Sequence, residues 1–150
     1  MRLAAEQGMP HWQAQAGITG GWAAALRGDT GSTELLRRYT QGLMGMGARA
    51  TMSVYYAAIV ETELREGKFE AARTTLQEAM AFVEQTNERL YEAGLWILWG
   101  RVAYAELGVE GARVAVEHFR RAVTVARRQG ANGLLAGALR ALEPYGLGAI

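Results

Sequence analysis

Catalysis needs a nucleophile beside a base, a pair of facing carboxylates or a bound metal, and the side chains that supply them are scarce in this chain. His11 and His118 are the only histidines, Asp29 is the only aspartate, and cysteine is absent. A two-histidine metal site would have to close across more than 100 residues, so no metal is expected, and His118 reads as a side chain on the solvated face of its helix. With a single aspartate, a hard-cation cage is not expected either. Glu61 and Glu63 are too close in sequence to face each other on a helix and read as surface charges. No G-x4-G-K-[ST] loop occurs, and Gly42, Gly45 and Gly47 follow a helix rather than a strand, which argues against a phosphate cradle. The residues predict no enzyme activity and no cofactor.

Arginine supplies the densest charge. Arg113, Arg120, Arg121, Arg127 and Arg128 share one helix with Glu110 and Glu117 as the only offsets. No aromatic side chains interleave with them to stack on bases, so the run reads as a solvated face with Arg113 and Glu117 as an i,i+4 pair, and no nucleic-acid partner is expected. A formal net charge of +1 gives no long-range field for nucleic acid or anionic lipid. Lys68 is the only lysine among 16 cations, an Arg, Ala and Gly bias that fits a GC-rich bacterial genome.

The 150 residues, 50% of them apolar and 21% charged, suffice for one folded domain, 1–150. Without cysteine, a basic leader or about 18 consecutive apolar residues, the expectation is a cytoplasmic protein that does not enter a membrane.

Any site must therefore be carried by helices, and their pattern repeats. Ala72, Leu76 and Ala79 place a small, a large and a small residue on one helix face, and Ala115, Phe119 and Ala122 do the same. Leu35, Tyr39 and Gly42 form a looser copy, and the copies stand 37 and 43 residues apart. Glycines mark the corners before these helices, at Gly28 and Gly31, at Gly67, and at Gly108 and Gly111, because glycine tolerates the positive φ that ends a helix. Eight residues before the corners, Trp96, Trp99, Gly100 and Ala103 form a first-helix pattern, with weaker counterparts at Tyr55, Ala58, Ile59 and Thr62 and at Ala16, Thr19, Gly20 and Ala23. Helices are predicted at 11–27, 32–46, 49–66, 68–86, 88–107, 111–129 and 131–142, with Ser32 and Asn87 as N-caps and no strand.

This pattern resembles tetratricopeptide repeats. The stretches AEQGMPHW (5–12), EGKFEAARTTLQEAMAFVEQTNERLYEAGL (66–95) and AVEHFRRAVTVARRQGA (115–131) are similar to the C-terminal region of bacterial signal-transduction ATPases and ATPase-linked class III nucleotide cyclases. The resemblance implies an all-α, right-handed superhelical array of about three antiparallel hairpins, acting as a regulatory or scaffold region. Pro10 stands five residues after Ala5, which frames 1–9 as the tail of a preceding repeat helix and 131–150 as a partial C-terminal repeat. The closing proline of the family pattern is absent after the internal repeats, where Gly47, Glu84 and Arg127 stand instead.

The repeat frame points Tyr56, Val60 and Glu63, then Ile97, Arg101 and Tyr104, toward a groove suited to a protein or peptide; burial against neighbouring helices of the same chain is the open alternative. The equivalent first-copy positions, Gly17, Gly21 and Ala24, would form a bare floor. Leu95 to Trp99 is apolar all the way round its helix and must be covered on every side, by a neighbouring helix or by a partner. Trp96 and Trp99 could therefore line an apolar small-ligand pocket or a homodimer contact.

Overall fold

The computed structural model describes residues 9–29 and 31–147, which hold seven α-helices and no strand. They are α1 (Pro10–Arg27), α2 (Ser32–Gly45), α3 (Met52–Arg65), α4 (Phe69–Thr86), α5 (Glu92–Leu107), α6 (Ala112–Gln129) and α7 (Asn132–Leu142). Single 3-10 turns at Gly108–Gly111 and Glu143–Tyr145 follow α5 and α7. The proposed tail of a preceding repeat lies outside the described residues apart from Met9, as do the last three positions of the partial C-terminal repeat. No helix among the described residues is long and apolar enough to cross a membrane.

Consecutive helices pack in chain order. The pairs α1/α2, α3/α4 and α5/α6 form hairpins, and α7 lies against α6 and α5. The first helices also touch one another, α1 on α3, α3 on α5 and α5 on α7. Gly28, Gly67 and Gly108 all have positive φ at the corners, as expected. Gly111 does not, with φ −77; glycine is needed there because an added Cβ would lie 2.3 Å from the Ala103 carbonyl oxygen.

The small-large-small faces of α4 and α6 are the core. Ala72, Leu76 and Ala79 are fully buried, as are Ala115 and Ala122, and Phe119 nearly so. In α2 the buried face is displaced by one residue from Leu35, Tyr39 and Gly42. Leu36, Thr40 and Leu43 are buried there, while Leu35 and Gly42 are exposed. The shift follows from the corner, where Ser32 begins the helix rather than capping it and its Oγ donates to the Asp29 carbonyl at 2.8 Å. Asn87 is likewise not an N-cap; with φ 56 it ends α4.

Candidate binding surfaces

Three of the six predicted groove residues are buried. Val60 is inaccessible to solvent, and Tyr56 packs on Phe82 with ring centroids 6.0 Å apart. Burial raises the Tyr56 pKa above the usual phenol value, with Glu78 adding to the shift and Arg37 opposing it. Glu63 is 1% exposed and accepts hydrogen bonds from Arg37 Nη2 at 2.7 Å and Thr75 Oγ1 at 2.8 Å. It is therefore neither a surface charge nor a groove wall. The reason is position in the stack: α3 is flanked by α1, α2, α4 and α5, so Val60 and Glu63 face other helices of the chain. Arg37 went unnoticed in the sequence, although a glutamate within an apolar helix requires a cation.

The other three residues remain near the surface. Ile97 is half-buried and sits over Gly137 of α7, where an added Cβ would be 3.5 Å from its Cδ1. Arg101 lies 3.7 Å from Glu61, and its side chain is 47% exposed. Tyr104 is 46% exposed and meets Tyr145 edge-on, with centroids 6.3 Å apart. Arg101, Tyr104, Phe119, Ala141, Pro144 and Tyr145 line an open cleft of about 550 Å³. The 3-10 turn after α7 brings Tyr145 against both Tyr104 and Phe119.

Trp96 and Trp99 line a shallow, open cleft rather than an enclosed pocket. His118 lies on both indoles, 5.6 Å from each ring centroid and 21° and 26° from their planes, while Arg121 stands 4.3 Å above Trp96. His118 is thus half-buried rather than on a solvated face, and burial lowers its pKa below the ordinary imidazole value; Glu117 opposes that shift and Arg121 reinforces it. Among the described residues, no three acidic, histidine or cysteine side chains gather as metal ligands. The arginine run is partly consumed in packing: beside Arg121, Arg128 reaches Glu92 at 3.4 Å, and Arg113 pairs with Glu117 at 3.3 Å as expected.

Gln77, Met80, Trp96, Trp99, His118 and Arg121 line a shallow cleft between α4, α5 and α6. A second cleft between α2, α3 and α4 contains Arg37, Thr40, Tyr56, Ile59 and Glu78. Arg37, Thr40, Tyr56 and Ile59 precede Gln77, Met80, Trp96 and Trp99 by forty positions, and Glu78 precedes Arg121 by forty-three, the offset between the buried faces of α4 and α6. Two successive units of the chain thus build the same cleft from different chemistry. No protein-family model, curated protein or solved structure matches the chain.

Proposed function

We propose that this chain is a non-catalytic peptide-docking module of a regulatory protein, built as a tetratricopeptide-like right-handed array. The observation that carries this reading is the cleft between α5, α6 and the end of α7. There a half-exposed tyrosine, a second tyrosine and a proline surround space for a bulky side chain, and Arg101 stands at its edge for a carboxylate. Contacts between successive first helices and the forty-residue relation between clefts support the array; the likeness to ATPase-linked regions supports a signalling role. The partner chemistry that fits is a peptide with an aromatic or large aliphatic residue next to an acidic one.

Selection of a displayed random-peptide library on the whole chain tests this. Enriched peptides should carry that pair, and Tyr104→Ala should weaken them by about tenfold or more, equivalent to about 1.4 kcal/mol or more, with unchanged helicity. No enrichment, or binders indifferent to Tyr104→Ala, would refute the cleft as the docking site.

A second reading, self-association, is favoured by α1 rather than by the tryptophan helix. Met9, Trp12, Ala16, Thr19, Ala23 and Leu26 are all exposed and follow alternating three- and four-residue spacing, and no Asp, Glu, Lys or Arg lies between Pro10 and Leu26. Antiparallel pairing of two copies would set Trp12 over Ala23 and Met9 beside Leu26, with the small residues Ala16 and Thr19 allowing close approach at the centre. Light scattering should then give a dimer mass that Ala16→Glu returns to monomer; a monomer over a wide concentration range removes the reading.

A further inference from the structure

The forty-residue relation isolates one cleft whose polar groups have no assigned task. In the unit built from α4, α5 and α6, His118 covers the tryptophans and the cleft is aromatic. In the preceding unit the places of Trp96, Trp99 and Arg121 hold Tyr56, Ile59 and Glu78, and the cleft, about 190 Å³, is lined with donors. Thr40 is 3% exposed, and its Oγ1 is buried without a hydrogen-bond partner among the described residues. A buried hydroxyl left unpaired costs about 1–3 kcal/mol, so it calls for an explanation. The Tyr56 hydroxyl reaches only the Met44 thioether, at 3.7 Å, a poor acceptor.

Arg37 is fixed in place. Both of its bonds leave from Nη2, to Glu63 Oε1 at 2.7 Å and to Thr75 Oγ1 at 2.6 Å, which leaves donor capacity at Nε and Nη1. The side chains of Gln41 and Glu78 complete the polar lining. Three kinds of donor around a small cleft match an acceptor such as a carboxylate. Charge narrows the class: Glu63 already offsets Arg37, and Glu78 leaves the neighbourhood net negative, so a simple anion is disfavoured unless it brings its own cation.

We propose that the cleft between α2, α3 and α4 binds a free α-amino acid with a small side chain, its carboxylate on Arg37, Thr40 and Tyr56 and its ammonium toward Glu78. The site is separate from the peptide cleft and does not depend on it. A cleft of about 190 Å³ has room for a small amino acid, since a cavity of about 150 Å³ already holds a six-carbon ring.

The test is titration of the whole chain with glycine, L-alanine and L-serine, followed by amide resonances and by the thermal midpoint, with acetate and ethylamine as half-ligands. At least one amino acid should shift the resonances of Thr40, Gln41 and Tyr56 and raise the midpoint, and each half-ligand should bind at least about tenfold more weakly. Thr40→Val keeps the shape and removes the hydroxyl; it should raise the midpoint of the ligand-free protein while weakening the amino acid by about tenfold. Glu78→Gln, at an exposed position, should weaken the amino acid and strengthen acetate, because it removes the excess negative charge. The proposal is overturned if none of the three amino acids moves those resonances at millimolar concentration, if acetate binds as well as they do, or if Thr40→Val lowers the ligand-free midpoint, which would mean that the fold itself satisfies the hydroxyl.

Discussion

Replacing Arg37 by methionine should lower the stability of the chain by about 3 kcal/mol, the low end of the cost of breaking a buried ion pair. Glu63 is the reason. Its side chain is 1% exposed, and without the guanidinium it would keep only the Thr75 hydroxyl as a donor. Water can approach Arg37, whose side chain is 28% exposed, and that access holds the loss to the lower part of the range. The pair itself has a different worth from either half. Glu63→Met with Arg37→Met removes both charges and leaves apolar side chains of similar length, so the double variant should come within about 1 kcal/mol of the parent or exceed it. Denaturant unfolding of both single variants and the double one gives the coupling directly. If Arg37→Met alone costs under about 1 kcal/mol, the glutamate has reached water, and the described burial of this face of α3 is wrong.

Much of the helix pattern was legible because it rests on local rules. The 3.6-residue periodicity and the corner glycines placed all seven helices, and every predicted range overlaps the helix found. The largest error, the start of α5, has a long-range cause. Glu88 follows α4 and accepts hydrogen bonds from Ser53 N at 2.8 Å and Ser53 Oγ at 3.1 Å, across 35 residues, and from Leu90 N at 2.9 Å. Those bonds hold 88–91 as a turn that local propensity would have made helical. The site was less legible. Repeat spacing reports which face of a helix a residue occupies only if its frame is right, and here the frame ran one residue late. The clefts relate Val60 to Gly100, which is buried as Val60 is, whereas Arg101 falls one position further on and is open. His118 could not be placed from its own helix, since its neighbours Trp96 and Trp99 belong to another.

Gly100→Ala should destabilise the chain by about 1–3 kcal/mol, the usual range for overpacking, even though alanine is the better helix former. Within a helix, glycine to alanine ordinarily gains about 1 kcal/mol, so the sign of the result decides whether packing or propensity governs here. The geometry favours packing, because an added Cβ would lie 2.3 Å from Phe119 Cε1 and 2.6 Å from its Cδ1. The ring cannot retreat freely: Phe119 is 4% exposed, and Tyr145 packs on it at 6.3 Å. Gly17 provides an internal control, since its Cβ would lie 2.4 Å from the Tyr39 ring in the first hairpin. Tyr39 is half-buried where Phe119 is nearly inaccessible, so Gly17→Ala should cost less than Gly100→Ala. Combining Gly100→Ala with Phe119→Leu should recover part of the loss, because the smaller side chain makes room for the methyl group. Thermal and urea unfolding of the three variants and the parent tests the argument. A stabilising Gly100→Ala would show that α5 and α6 do not approach this closely, and would also remove one wall of the cleft proposed to hold the peptide, since Phe119 lines both.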